Sequence, residues 1–329
     1  MADPKDSGGI FEDFARAALP LYGLDSSTPL TLLNVSENAT FRVDEADGGR
    51  SVLRVHRTDY HTLRAIESEL AWITALREEG VVETPPFLPT QAGAMVGTVT
   101  LPNGEMRHVA RFAFVEGVEP TEDRLVEDFM QLGAITARLH IHGKSWRPKA
   151  GFTRFTWDFE TALGPQGHWG SWRDGMAVGA EEEAILGRCA ARMGERLASY
   201  GKAPDRFGLV HADMRLANLL VNGPQVTVID FDDCGFSWFM YDLGSSLSFI
   251  EHEPYVPALV DSWVTGYRTV APLSREEEVE LPTFIMFRRL LLVAWIGSHA
   301  STDLAQSMGE QYTKDSCRLA EEYLARSFN

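Results

Sequence analysis

The stretch from residue 210 to residue 230 constrains this chain more than any other part of its sequence. A histidine, an aspartate and an asparagine stand there in the order H-x-D-x(4)-N, as His211, Asp213 and Asn218. The apolar run Val226–Ile229 follows and ends directly before a second aspartate, Asp230. Short apolar, β-branched runs indicate buried strands. We therefore expect a loop that bears the first polar residues beside a strand whose end presents Asp230.

This set of groups suits the transfer of a phosphoryl group. One carboxylate must accept or orient the attacking hydroxyl, while a neutral oxygen ligand and a second carboxylate hold Mg²⁺ against the phosphates. Asp213 fits the first role, and Asn218 and Asp230 fit the second. We predict that the loop and the strand end bring these three side chains to a single metal–triphosphate position.

The segment resembles the catalytic loop of protein kinases, H-R-D-x(4)-N, with Asp230 in the place of the aspartate of their D-F-G sequence. It is more closely similar to the aminoglycoside phosphotransferase superfamily, which includes choline kinases, type II homoserine kinases and the bacterial stress-response kinases. Members typically continue with I-D-[FW]-[DE]; this chain has I-D-F-D at 229–232 and D-L at 242–243. The resemblance spans residues 30–300 and implies an enzyme that uses ATP and Mg²⁺, close to the stress-response branch.

The resemblance also implies a role for each polar residue of the segment. Asp213 is expected to be the catalytic base or to orient the acceptor hydroxyl, and Asn218 and Asp230 are expected to bind Mg²⁺. Arg215 stands where protein kinases place a lysine that contacts the transferred phosphate. The motif histidine is expected to support the loop, and Asp242 to anchor it by hydrogen bonds or to cap a helix.

Residues 52–55, Val-Leu-Arg-Val, take the place of the kinase V-A-I-K strand, with Arg54 instead of the lysine. In kinases that cation pairs with a helical glutamate and with the α- and β-phosphates. Glu69 falls on the apolar stripe of the next predicted helix, where a carboxylate needs a partner. We therefore predict an Arg54–Glu69 ion pair, with Glu67 as the competing candidate. Arginine can hold a carboxylate or a phosphate with two hydrogen bonds. Its replacement of lysine is also compatible with slower or altered use of the nucleotide.

The other nucleotide contacts rest on the resemblance alone. The turn that contains Ser36 and Asn38 would cover the phosphates, although it lacks the glycines of G-x-G-x-x-G. A hinge between two lobes is expected at 113–117, where the Ala113 carbonyl and the Val115 N–H would bind the adenine edge. Three apolar side chains would enclose the ring or else belong to the core: Val52, Leu220 and Ile229.

Patterns elsewhere predict short strands, a hairpin and several helices. Apolar runs bounded by turn residues indicate strands at 30–35, 40–43 and 51–55. The sequence Pro102-Asn103-Gly104 indicates a hairpin turn. A first helix is expected from Thr58 or Asp59 to Gly80, and apolar periodicity predicts further helices at 122–140, 181–200 and 283–299.

These elements predict an α+β, bilobal protein-kinase-like fold. The small N-terminal lobe, 1–112, should contain an antiparallel sheet and one helix, and should bind the nucleotide. The hinge at 113–117 would lead to a larger, mainly helical lobe, 118–329, with catalytic and acceptor-binding residues.

Charge and composition limit the partners. The formal net charge of −17 argues against a nucleic-acid partner, because phosphate backbones attract basic surfaces. No apolar run approaches the roughly 20 residues of a membrane-spanning helix, and the polar N-terminus lacks the features of a secretory signal. The 3 cysteines are widely spaced, which indicates neither a disulfide framework nor a zinc site and fits a reducing cytoplasm.

Three other features have open roles. His140 and His142 are two residues apart and do not share a helical face, which favours a structural His140 over a metal pair. Asp232 and Asp233 could bind a second Mg²⁺, bind substrate or face solvent. The tryptophans at 146–172 fit either ordinary packing or an aromatic pocket for a cationic amine, which nearby acids would complete: Asp158 and Asp174.

The favoured function is a phosphotransferase that moves the γ-phosphate of ATP to a hydroxyl of a small molecule. The acceptor would be an amino alcohol, a hydroxyamino acid such as homoserine, or an aminoglycoside-like compound. The absence of an A-P-E sequence after Asp230 favours this function over a protein serine/threonine kinase of the stress-response type. A nucleotide-binding regulator without turnover is the third hypothesis. Only Arg54 and the glycine-free turn favour it.

Overall fold

The structure is a computed structural model that describes residues 4–35 and 38–328. The chain divides into two compact units. Unit 1 consists of the described residues up to Val118 together with Pro148–Arg154 and Leu220–Asp232. Unit 2 consists of Glu119–Arg147, Phe155–Leu219 and the described residues from Asp233 onward. Unit 1 thus contains two segments from the range predicted for the second lobe. The predicted lobe boundaries and hinge stay a prediction.

The strands, in chain order, are β1 (Leu30–Val35), β2 (Ala39–Asp44), β3 (Arg50–Val55), β4 (Phe87–Leu88), β5 (Gly97–Thr100), β6 (Met106–Ala113), β7 (Phe155–Thr156), β8 (Phe207–Val210), β9 (Leu219–Asn222), β10 (Gln225–Val228) and β11 (Gly235–Trp238). The α-helices are α1 (Pro4–Ala18), α2 (Leu63–Glu78), α3 (Leu125–Ser145), α4 (Phe159–Leu163), α5 (Ala180–Tyr200), α6 (Tyr241–Ser246), α7 (Val256–Arg268), α8 (Arg275–Ser298) and α9 (Asp303–Ala325). In the described part of the chain, none of these helices carries an apolar stretch of membrane-spanning length.

Unit 1 is built on an antiparallel sheet with the strand order β1-β2-β3-β6-β4, and β5 also pairs with β6. Side chains alternate along β2, where Ala39, Phe41 and Val43 are buried in the core. The turn between β5 and β6 contains Gly104 with φ of 87°, a conformation that favours glycine. The predicted strands and hairpin are therefore confirmed.

Helix α1 precedes this sheet, so the prediction of one helix in the N-terminal region is wrong. Its buried side chains repeat at helical spacing and join the core of the sheet: Phe11, Phe14, Ala15 and Ala18. Gly8 and Gly9 stand close to the start of that stripe. Because glycine disfavours helix, the stripe is hard to recognise from the sequence alone.

Helix α2 starts later than predicted. Thr62 is its N-cap, since the Ala65 N–H donates to Oγ1 of Thr62 at 3.2 Å. Thr58 and Asp59 lie before the helix, and Asp59 has φ of 63°. The predicted end is confirmed, because the helix stops at Glu78 and Gly80 follows with φ of 64°.

Unit 2 is mainly helical and contains a small sheet in the order β7-β11-β8. Helices α3 and α7 cross without intervening side chains. A Cβ atom at Gly133 would clash with the Trp263 carbonyl, and one at Gly266 would clash with the Met130 carbonyl. The predicted helices correspond to α3, α5 and α8, but α8 begins at Arg275 and continues through Pro282. The predicted α+β fold is confirmed.

Candidate active site

Arg54 on β3 and Glu69 on α2 form a buried ion pair in unit 1. The Arg54 Nη2 atom donates a hydrogen bond to Oε1 of Glu69. Burial raises the pKa of Glu69, although the guanidinium opposes this shift. The predicted pairing is therefore confirmed. The competing candidate, Glu67, is partly exposed and lies 3.3 Å from Arg64.

The Nη1 atom of the same arginine faces two further carboxylates. It lies 3.8 Å from Oδ1 of Asp230 and 3.9 Å from Oδ1 of Asp232. The Asp230 side chain is 52% exposed, whereas that of Asp232 is 9% exposed. Asp230 has φ of 59°, which is strained for a residue with a side chain and is common at functional sites. Of the two, Asp230 is thus the carboxylate that a ligand from solvent can reach.

Asp232 lies in a buried cluster with two histidines. His56 Nδ1 is 3.7 Å from Oδ1 of Asp232, and His61 Nε2 is 3.7 Å from Oδ2. Burial lowers the pKa of His61 to about 4 and that of His56 well below its usual value, so both are neutral near pH 7. Burial opposes the charge on Asp232, but the guanidinium groups of Arg54 and Arg154 lower its pKa. Asp232 therefore does not face solvent, which removes one of its three predicted roles.

The remaining predicted nucleotide contacts that the structure describes also lie in unit 1. Asn38 is buried, and its Oδ1 atom accepts a hydrogen bond from the Arg57 N–H at 3.1 Å. Ser36 lies outside the described residues. Ala113 ends β6, and its N–H donates to the Pro86 carbonyl at 2.8 Å. Four apolar side chains are only partly buried, unlike the interior of the sheet: Val52, Val115, Leu220 and Ile229.

In unit 2, both carboxylate oxygens of Asp213 accept hydrogen bonds. Arg288 Nη2 donates to Oδ1 at 2.7 Å, while Asn218 Nδ2 and Arg215 Nε donate to Oδ2 at 2.8 and 3.2 Å. Burial alone would raise the pKa of Asp213, but the two arginines, with His211 and Asn218, hold it below its usual value. The carboxylate is therefore ionised at neutral pH and fixed in orientation.

The loop that carries Asp213 is anchored by its backbone. The N–H groups of His211 and Ala212 donate to the Asp242 carboxylate at 3.2 and 2.7 Å. His140 Nε2 lies 3.1 Å from Oδ2 of Asp242, and its Nδ1 atom is 3.1 Å from the Tyr267 hydroxyl. Asp242 thus anchors the loop and His140 is structural, as predicted. The anchors also hold Ala212 at a φ of 68°.

Arg288, on α8, is a site residue that the sequence analysis misses. It is buried, donates to Tyr241 Oη at 3.0 Å and to Ser248 Oγ at 2.9 Å, and lies 5.2 Å from the centre of the Trp169 ring. A sequence signal exists, because Arg288 and Arg289 interrupt an apolar helix. Buried cations need anionic partners, but the sequence does not identify the partner.

The tryptophan-rich segment packs in the interior of unit 2. Trp157, Trp169 and Trp172 are buried. Asp158 caps α4 by accepting from the Thr161 N–H, and it also pairs with Lys202 at 2.6 Å. Ordinary packing therefore accounts for these three tryptophans, whereas Trp146 is only partly buried, and Asp158 is committed to structural contacts.

The predicted residues form two sets, each gathered within one unit. Arg54, Glu69 and Asp230 come together in unit 1, while Asp213, Arg215 and Asn218 come together in unit 2. The described residues contain no cluster of three or more histidine, cysteine, aspartate or glutamate side chains suited to a metal ion. Asn218 commits its amide nitrogen to Asp213, which leaves its oxygen available to a ligand. An amide oxygen and a carboxylate such as that of Asp230 are each donors that suit Mg²⁺.

Comparisons with known proteins identify the family and the fold of the chain. A sequence model of the phosphotransferase enzyme family matches residues 30–277. The solved structure of a microcompartment-associated aminopropanol kinase has a TM-score of 0.89 and 46% identity, and covers 95% of this chain and 97% of that one. Amicoumacin kinase of Bacillus subtilis is 26% identical over 93% of this chain and 90% of its own length.

A further solved structure has the same fold. It is an amicoumacin kinase in complex with AMP-PNP and Ca²⁺, and it aligns with a TM-score of 0.75 and 22% identity over 92% of each chain.

Proposed function

Because this chain belongs to the phosphotransferase enzyme family and is a small-molecule kinase, we propose that it transfers the γ-phosphoryl group of ATP to the hydroxyl of a short amino alcohol. The observation that carries this proposal is the ionised, fixed carboxylate of Asp213. The 46% identity to an aminopropanol kinase supports the acceptor class.

Asp213 orients the acceptor hydroxyl. Its lowered pKa makes it a weak base, which suits a loose transition state in which little proton transfer is needed before the phosphoryl group departs. The carboxylate accepts a hydrogen bond from the hydroxyl and takes the proton late. Arg215 commits Nε to Asp213, and its side chain is 31% exposed. Its terminal nitrogens would therefore be available to contact the transferred phosphoryl group.

Mg²⁺ would be held by Asn218 Oδ1 and the Asp230 carboxylate. When bound, it neutralises charge on the β- and γ-phosphates. Arg54, fixed by Glu69, binds the α- and β-phosphates, and the turn containing Ser36 and Asn38 covers them. Ala113 and Val115 bind the adenine edge, between three apolar side chains: Val52, Leu220 and Ile229. The partial exposure of these side chains supports their assignment.

We place the enzyme in the cytoplasm, without a nucleic-acid partner. Cys189, Cys234 and Cys317 are buried and widely spaced in the sequence, which suits a reducing compartment. The net charge of −17 disfavours binding to a phosphate backbone.

The test is a screen of purified protein with Mg·ATP against aminopropanol, ethanolamine, choline, homoserine and an aminoglycoside. We expect ADP release that depends on an amino alcohol, and a loss of about a thousandfold in kcat for Asp213→Asn, with nucleotide binding retained. Phosphorylation of proteins alone would instead support the stress-response type of kinase. Nucleotide binding without any turnover would support the regulator.

A further inference from the structure

One segment of unit 1 is flanked in the sequence, on both sides, by residues that belong to unit 2. This segment, Pro148–Arg154, contains no helix or strand. It is attached to helix α2 by several hydrogen bonds. Arg64 donates to the Gly151 and Ala150 carbonyls at 2.7 and 2.8 Å, and the Thr153 N–H donates to Ser68 Oγ at 3.0 Å.

Arg154, the last residue of the segment, extends this attachment to a second element. Its Nη1 atom donates to the Ala65 carbonyl of α2 at 3.0 Å. Its Nη2 atom donates to the Asp232 carbonyl and lies 3.4 Å from His61 Nε2. Arg154 is itself buried. One planar guanidinium therefore joins helix α2 to the turn at 230–232, which a lysine with a single nitrogen cannot reproduce.

Both elements that Arg154 joins carry residues of the nucleotide site. Helix α2 carries Glu69, the turn carries Asp230, and Arg54 faces both. Asp230 has φ of 59°, and a strained residue of this kind persists only where its surroundings hold it. The carbonyl that Arg154 holds lies two residues after Asp230.

We propose that Arg154 is a positioning residue that fixes helix α2 and the Asp230 turn in the arrangement that binds Mg·nucleotide. The inference rests on the proposed function in one respect, the assignment of Arg54 and Asp230 to the nucleotide and its metal. Arg154 acts through these residues and contacts neither ligand.

The experiment compares Arg154→Lys and Arg154→Ala with Arg64→Ala. Arg64 is the matched control, because it attaches the same segment to α2 but is exposed and is bonded to the segment rather than to the turn. Binding of AMP-PNP would be measured by calorimetry over a range of Mg²⁺ concentrations, with the acceptor KM and thermal unfolding in parallel.

We expect both Arg154 variants to raise the nucleotide Kd and the half-saturating Mg²⁺ concentration about tenfold, as for the loss of one charged hydrogen bond. The acceptor KM should change less than about twofold, and Arg64→Ala should change each value less than about twofold. Millimolar guanidinium should partly restore nucleotide binding to Arg154→Ala.

The inference is overturned if the folded Arg154 variants bind Mg·AMP-PNP as Arg64→Ala does. It is also overturned if nucleotide and acceptor affinities fall together with the melting temperature, because that result indicates general loosening. If the alanine variant does not fold, Arg154→Lys decides. Wild-type protein that binds no nucleotide would instead refute the proposed function, and this inference with it.

Discussion

Two buried arginines, Arg54 in unit 1 and Arg288 in unit 2, differ in how closely they contact nearby aspartates. Arg288 donates from Nε, Nη1 and Nη2, and both oxygens of its partner Asp213 are hydrogen bonded. Arg54 hydrogen bonds to Glu69 and faces Asp230 and Asp232 only at ion-pair distance. The cluster around Asp213 is therefore closely hydrogen bonded, whereas the cluster around Arg54 is held more loosely.

The charges of the two clusters show the same contrast. In unit 1, three carboxylates surround Arg54, and three buried atoms lack a hydrogen-bond partner among the described residues: Arg54 Nε, Glu69 Oε2 and Asp232 Oδ1. In unit 2, one carboxylate has two guanidinium partners. Surplus negative charge suits a group that binds a metal cation, and a preorganised acceptor suits a catalytic group. Under the roles proposed above, the contrast means that Asp213 is held ready for catalysis, whereas the cluster around Arg54 and Asp230 needs the nucleotide and its metal to complete its contacts.

The largest effect is expected for Arg288→Lys. Lysine keeps the charge but cannot serve all the partners of Arg288, so the orientation of Asp213 is lost. We expect kcat to fall about a hundredfold, with nucleotide Kd changed less than about twofold. Steady-state kinetics and calorimetry measure both. Tyr241→Phe removes one partner of Arg288 and should cost only a few-fold. A parallel loss of nucleotide affinity would show that the two clusters are not functionally separate.

Arg54→Lys probes the other side of the comparison. The lysine ammonium can pair with Glu69 but presents a single nitrogen to three carboxylates. We expect the KM for ATP to rise about fivefold while kcat changes less than about threefold. Initial rates at varied ATP give both values. Arg54→Met leaves Glu69 buried without its cation, so it should raise the KM for ATP more than Arg54→Lys does. An unchanged KM with a reduced kcat would move Arg54 from nucleotide binding to catalysis.

The smallest expected effect concerns the pH dependence of stability. The buried His56 binds no proton in the folded state, since burial lowers its pKa far below the usual value. The unfolded chain takes up a proton below about pH 6.5. Folding stability from this group is therefore complete above that pH and falls by up to about 1.4 kcal/mol per pH unit below it.

His56→Leu should reduce this slope by about one proton. Urea denaturation between about pH 7 and about pH 5 measures it. Both ring nitrogens of His56 lack a hydrogen-bond partner within the described residues, so the substitution removes titration without breaking a bond. An unchanged slope would mean that His56 does not titrate on unfolding.

The local patterns of the sequence predict much of the fold and part of the site. Sequence patterns predicted three features: the loop motif, the strand before Asp230 and the Arg54–Glu69 pair. They were predictable because the alternation and helical spacing that define them lie within short segments. The contacts of Arg288 with Asp213 and of Arg154 with Asp232 span 75 and 78 residues. No local pattern specifies such pairings, since a buried arginine reveals only that some anion is near.

The predicted starts of helices α2 and α8 were wrong for a related reason. Thr58, Asp59 and Thr62 are all residues that can cap a helix, and the folded backbone decides among them: the Ala65 N–H donates to Thr62, and Asp59 has φ of 63°. The helix predicted to start at residue 283 instead starts at Arg275 and passes through Pro282, because an N-cap at Ser274 begins it earlier.

The close crossing of α3 and α7 depends on two glycines that have no proposed chemical role, Gly133 and Gly266. Gly133 touches the backbone of α7, and seven residues further along the same helix His140 contacts Asp242. A methyl group at the crossing would displace helix α3, whose His140 contacts the loop anchor Asp242. Substitutions at Gly133 or Gly266 should therefore disturb the loop that carries Asp213, although neither glycine is proposed to contact a substrate.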